Sequence, residues 1–405
     1  MSDKKIISSR SELLSLLSEA CELEHTLACS YLYTAFTLKQ NLTEGSLNWQ
    51  QLQKVRLWAA QIYFVASEEM LHLAQVWNLL AAIGGTPYYL RPNFPQNSKY
   101  YPLNLPLELE PFGPEAIKRF VYYERPAEVT PERAFSKELG LAETNSPSPE
   151  YRTVGELYRL ILSGFSSIPE EQLFIGAPER QIDQDLVDFP DIVKVVDRAS
   201  AEAAIEAITS QGEGTVPDRT DCHYGIFKKI QSELQSEQEE SQCRGEEFEP
   251  ARHTIKNPIS RYRGSYGAVK GNLIENEYTK QVAELFDELY GLMLRMLQYV
   301  FDNSTEDAAL LRDFSRMAIK MMCTVIKPLG EALTRLPAGA RYGLRTAGPA
   351  FAMSRHVPLP REPRSASIVA QERLQELVLL SEELADHVSA PIQFISAHTN
   401  LKSLS

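Results

Sequence analysis

The residues that could do chemistry in this 405-residue chain sit on a few helical stretches, foremost Glu68-Glu69-Met70-Leu71-His72. That pentad lies in an apolar-periodic run, Trp58 to Ile83, with no proline or glycine before Gly84-Gly85, which reads as a helix ended by glycine. Residues three apart share a helix face, so Glu69 and His72 point the same way. Ile62, Val65, Ala66, Leu73 and Val76 make up the rest of that face. A carboxylate and an imidazole on an apolar stripe are costly to bury unless they are paired or bind a metal. Glu68, flanked by Gln61 and Gln75 at i±7, reads as the solvated member of the pair. A Glu-x-x-His tetrad alone is common; its weight depends on matching acids elsewhere.

The elements that must position such a site follow from the same periodicity. Ser9 to Lys39 keeps one broad apolar face, and Ser9 and Ser11 are candidate caps. On it Glu24 is surrounded by Leu17, Ala20, Cys21, Leu27, Ala28 and Tyr31, so its carboxylate is expected to face inward, whereas Glu22 lies on a polar face. His25 follows by about 100° of rotation and reads as a support for the site or a contact to a neighbouring helix. Asn41 to Asn48 is a turn region, making the first two helices an antiparallel pair. Prolines 87, 92, 95, 102, 106, 111, 114 and 126 then break up a long crossover, in which Gly113 to Glu124 reads as one short helix. A third helix is expected from Ser146-Pro-Ser-Pro-Glu150 to about Ser166. Glu156 is its inward candidate, with Glu150 as a rival because Val154, Leu157 and Ile161 continue its stripe. Gln181 to Asp197 has strand-like character and reads as a small ribbon. Ala199 to Thr209 is a helix, and helical spacing resumes at His223. Between them Glu213 is flanked by glycines.

Helices are also expected over Asn272–Phe301, over Ala308–Leu336 with an interruption near Pro328, and over Arg364–Val388 as the last. The fold class is therefore all-α, a helical bundle over 1–245 followed by a helical extension over 246–405 packed on it. The net charge of −13 argues against nucleic acid as a partner. No stretch has the length of a membrane span, and the first ten residues lack the apolar core of a secretory signal. The five cysteines form no Cys-x-x-Cys and read as free thiols, so a cytoplasmic location is expected. No phosphate-binding glycine loop or nucleophile elbow is present.

Glu24, Glu69, His72, Glu156, Glu213 and His223 occur in an order similar to that of di-metal carboxylate bundles, in which two helices each give a Glu and two each give Glu-x-x-His. The nine residues between Glu213 and His223 depart from the generic spacing of two. The motifs Leu23-Glu24-His25-Thr26, Glu68-Glu-Met-Leu-His72, Thr153-Val-Gly-Glu-Leu-Tyr158 and Gln211-Gly-Glu-Gly214 with His223-Tyr224 resemble the ferritin-like domain of the iminophenyl-pyruvate dimer synthase type. The resemblance covers roughly residues 10 to 235. Members similar to this chain also interrupt the fourth helix, which restores Glu213 and His223 as a pair. The resemblance implies a ferritin-like four-helix bundle with two iron ions, or manganese, held by those six residues. His25 and Tyr31 are implied as supports. It further implies O2-dependent oxidation of a small, amino-acid-derived molecule in specialised metabolism. A metal-binding or ferroxidase-like protein, or a non-catalytic scaffold, is the alternative. Self-association to a homodimer through exposed apolar helix faces is compatible with this reading.

Overall fold

The structure is a computed structural model that describes residues 7–97, 101, 106–129, 151–187, 191–212, 220–261, 271–302, 307–353 and 357–404. It is all-α. The described strands are two two-residue segments, Pro258–Ile259 and Asn272–Leu273, paired in parallel. Among the described residues no helix is long and apolar enough to cross a membrane.

Helices α1 (Arg10–Thr37) and α2 (Trp49–Ala82) form the central pair. Ser9 caps α1, its hydroxyl accepting from the Glu12 N–H at 3.2 Å. Asn48 and Gln51 form a reciprocal capping box on α2: the Gln51 N–H donates to Asn48 Oδ1 at 2.9 Å and the Asn48 N–H to Gln51 Oε1 at 2.8 Å. Gly84, at φ +88°, ends α2 as expected, and the N–H of Gly85 turns back to the Leu80 carbonyl at 2.8 Å. The large buried side chains along the pair, Tyr31, Tyr33, Phe36 and Trp58 among them, are 0% exposed. Each contributes roughly 1.5–3 kcal/mol of hydrophobic stabilisation.

The remaining sides of the bundle are made of shorter pieces. Helix α3 (Pro114–Tyr123) packs on α6 (His223–Arg244), while α4 (Val154–Ser167) packs between α1 and α5 (Arg198–Gly212). Tyr31, Phe120 and Phe227, with ring centroids 4.6–5.1 Å apart, tie α1, α3 and α6 together. The third helix starts at Val154, later than its apolar stripe suggests, because Thr153 caps it by accepting from the Glu156 N–H at 3.1 Å.

The described part of 181–197 is not a ribbon. Its backbone groups pair with side-chain amides instead. Asn78 bonds Ile182 through both its amide groups (2.8 and 3.0 Å), Gln75 bonds Val193 likewise (2.9 and 2.8 Å), and Gln181 bonds Val195 (2.7 and 2.6 Å). These amides supply the donor and acceptor that a partner strand would have provided.

The C-terminal region comprises α7 (Glu277–Asp302), α8 (Ala308–Met321), α9 (Lys327–Leu333), α10 (Pro363–Ala385) and α11 (Ile392–Lys402). The interruption expected near Pro328 is a π-helical turn, Met322–Ile326, that joins α8 to α9 without a break. Proline lacks an N–H and its ring crowds the carbonyl four residues back, which the wider turn accommodates. Helix α11 was not legible in the sequence, because its apolar spacing is short and irregular. The region docks on α1 closely enough that a methyl group at Gly330 would lie 2.4 Å from the Phe36 ring.

Candidate metal centre

Midway along the bundle, α1 contributes Glu24 and α2 contributes Glu69 and His72. Here α3 ends at Glu124, its C-cap, and α6 begins at His223. All five side chains are buried, none more than 4% exposed. They form two triads, Glu24–Glu69–His72 and Glu69–Glu124–His223, each with its candidate ligand atoms within 4.8 Å of one another, and Glu69 belongs to both. His72 Nδ1 lies 3.5 Å from Glu24 and 3.4 Å from Glu69. His223 Nδ1 lies 2.9 Å from Glu69 and 3.5 Å from Glu124. The two imidazoles are 5.4 Å apart.

The outward nitrogens are held by partners behind the cluster. His72 Nε2 is 2.9 Å from Gln211 Oε1, an atom that only accepts, so Nε2 carries the hydrogen and Nδ1 faces the carboxylates. His223 Nε2 is 3.0 Å from Glu68 Oε2. Tyr158 donates its hydroxyl to Glu24, and Tyr31 donates to Glu124. Glu24 and Glu124 thus each keep one oxygen engaged from behind and one free to face inward, while both oxygens of Glu69 face the imidazoles.

Without cations, protons neutralise the cluster. Burial, reinforced by the charge of Glu69, pushes the Glu24 carboxyl up to about 8. Burial opposes charging of His72, but Glu24 and Glu69 outweigh it and raise it to about 10. Burial likewise opposes charging of His223, which Glu69, Glu124 and Glu68 nonetheless hold well above the ordinary histidine value. Burial and Glu124 push Glu69 up, yet hydrogen bonding from Glu24 and the charge of His223 leave it below the usual carboxylate range.

The residues fit metal ions. Glu69 Oε2 and His223 Nδ1 are buried polar atoms with no aligned hydrogen bond, at the point where the two triads meet. Such orphans are costly unless a ligand satisfies them. Three carboxylates and two imidazoles form a mixed O/N donor set suited to iron or manganese.

Of the residues singled out in the sequence, the structure brings Glu24, Glu69, His72 and His223 together. Glu156 stands elsewhere: in the first turn of α4 its carboxylate accepts from the Arg152 N–H at 2.5 Å, closing the helix start instead of facing the cluster. Glu213 and Glu150 lie outside the described residues. Glu124 was missed, although it continues the stripe of Ile117 and Phe120 at i+7 and i+4, the criterion that picked out Glu69. Glu68 is not simply solvated, since it orients His223. His25 faces away from the cluster, toward the Tyr89 carbonyl at 2.6 Å and the Tyr290 hydroxyl at 2.7 Å.

The chain is similar to several known proteins. Dichlorochromopyrrolate synthase from Lentzea aerocolonigenes is 28% identical over 85% of this chain and 36% of its own length. The 2-imino-3-(indol-3-yl)propanoate dimerase of Chromobacterium violaceum is 25% identical over 85% of this chain and 34% of its own. The chain therefore spans about a third of the length of these relatives. A solved ferritin-like protein from Caulobacter vibrioides is 17% identical with a TM-score of 0.46, covering 74% of this chain and 89% of that one. The family pattern described as Ferritin-like matches residues 17–232, and by that match, over more than half its length, the chain belongs to the ferritin-like family.

Proposed function

We propose that the chain is a non-haem di-metal oxidoreductase that couples reduction of dioxygen to oxidation of a small, amino-acid-derived molecule in specialised metabolism. The observation that carries this reading is the pair of buried triads sharing Glu69, with orphaned polar atoms at their junction. Glu24, Glu69 and His72 would hold one ion, and Glu69, Glu124 and His223 the other. Iron is the metal this reading favours, with manganese as the alternative. When bound, such a pair supplies redox chemistry and open coordination positions for a small oxidant.

The chain's own groups do the positioning. Gln211 and Glu68 fix the rotation of the two imidazoles, and conserving that orientation is what such outer partners do at metal sites. The Tyr158 and Tyr31 hydroxyls hold one oxygen of Glu24 and Glu124, leaving the other for metal. The surrounding apolar side chains, Leu27 and Ile208 among them, exclude bulk water from the cluster. The relatives' names, a dichlorochromopyrrolate synthase and a 2-imino-3-(indol-3-yl)propanoate dimerase, support an amino-acid-derived substrate.

The test is metal content by plasma mass spectrometry on protein expressed with iron and manganese, beside a Glu69→Ala/His72→Ala variant. About two ions per chain in the parent and near none in a folded variant is the expected result. Substrate-dependent oxygen uptake by the iron form would then support the oxidoreductase assignment. Metal bound with no uptake across a panel of amino-acid-derived imines and keto acids would sink it.

A further inference from the structure

The space over the cluster is small and its walls are specific. It offers about 20 Å3 to the centres of water-sized molecules, room for about one or two of them. Glu24, Glu69, His72, Glu124 and Tyr158 form its buried floor. Ile208, 3% exposed, narrows it from α5. The half-buried Val154 and Thr209 line it from α4 and α5, the more exposed part of its wall. A cavity that takes even one benzene ring is of the order of 150 Å3, several times larger.

We propose that Val154, Ile208 and Thr209 form a size filter: the ligands that bind the metal pair directly are dioxygen, peroxide and anions of similar size, and an aromatic organic molecule, substrate included, stays outside this cavity and does not ligate the metals. This deepens the di-metal reading and rests on it. The filter is made of side chains on regular helices, packed where α4 and α5 meet, so its aperture is set by side-chain volume. Removing volume from a packed wall leaves much of that volume open, because the surroundings relax only partially. Adding volume closes it.

The experiment uses the full chain loaded with cobalt(II) or anaerobically with iron(II), with metal content measured on every sample. Azide serves as the small probe and phenylpyruvate as the aromatic one, and the metal's optical and paramagnetic spectra report binding. In the parent, azide is expected to shift the spectrum and phenylpyruvate to leave it unchanged. Ile208→Ala with Thr209→Gly should gain a phenylpyruvate response. Val154→Phe should keep its metal and lose the azide response. A parent spectrum that shifts with phenylpyruvate while metal is bound overturns the filter and leaves the di-metal reading intact. A chain that binds no metal overturns both. Should the widened variant fail to fold or hold metal, the contrast between the two probes on the parent decides alone.

Discussion

At the residue scale the centre is defined by which oxygens are spoken for. Glu124 and Glu156 are near in type but opposite in role. One closes α3 and faces His223; the other closes the start of α4. Glu124→Ala should therefore lower bound metal from about two ions to about one, whereas Glu156→Ala should leave metal content unchanged and cost about 1 kcal/mol of stability through the lost helix-start contact. Metal analysis and denaturant unfolding on the two variants check this pair of outcomes. The protons of the metal-free cluster give a second expectation. Glu24, raised to about 8, and His72, raised to about 10, are both mainly protonated at neutral pH and must lose those protons to bind a cation. Metal affinity should rise with pH between about 6 and 9, with proton release on binding. Calorimetry of cobalt binding in buffers of different ionisation enthalpy measures the release, and an affinity flat across that range would contradict it. Glu24 and Glu69 were legible as inward acids because each sits on an unbroken apolar stripe. Glu124 carried the same signal on a helix too short to attract it.

At the scale of elements, the two long helices were readable almost to the residue, since periodicity agrees with the Ser9 cap at the start of α1 and with Gly84 at the end of α2. The third side of the bundle was not. Its candidate ligand, Glu124, comes from the end of α3, inside what reads as a connector, because the sequence does not reveal that two short helices, α3 and α4, do the work of one long one. The 181–197 segment failed for a related reason: its β-type residues are extended, but the groups that satisfy them are Gln75, Asn78 and Gln181 rather than another strand. Docking of α9 on α1 depends on the missing side chain at Gly330. Gly330→Ala would raise helix propensity by up to about 1 kcal/mol, yet its methyl would meet Phe36 at 2.4 Å. The steric cost should win, with a net destabilisation of about 1–3 kcal/mol. Thermal unfolding reads this directly, and a raised midpoint would show that the docking is looser than described.

At the scale of the whole molecule, the C-terminal region has buried polar contacts of its own as well as apolar ones. Asp287 on α7 accepts from the Ser260 hydroxyl at 2.6 Å and the Ala352 N–H at 2.9 Å, both within that region, and burial pushes its carboxyl up from 3.8 to about 7. A group raised in the folded state favours folding fully below its unfolded value, near 4, and that contribution is lost as pH rises through 7. Stability should fall across that interval by a few kcal/mol at most, and Asp287→Asn should flatten the fall and be the more stable form at pH 8. Denaturant midpoints for both forms from pH 5 to 8 test it; parallel curves would place Asp287 in a wetter setting. The helical extension was legible and its packing on the bundle expected, but the residues that make that contact were not, because pairs such as His25 with Tyr290 and Arg91 with the Phe351 carbonyl lie far apart in sequence. The first of these has a consequence for the order of events during synthesis. His25 must wait for a partner 265 positions later, which at about 5–20 residues per second is an interval of roughly 13–53 seconds. For that time the imidazole has at most the Tyr89 carbonyl as a partner, its second ring nitrogen unpaired, and the part of the first helix that Tyr290 meets is uncovered. A nascent chain in that condition is one that chaperones would be expected to hold until translation has passed α7.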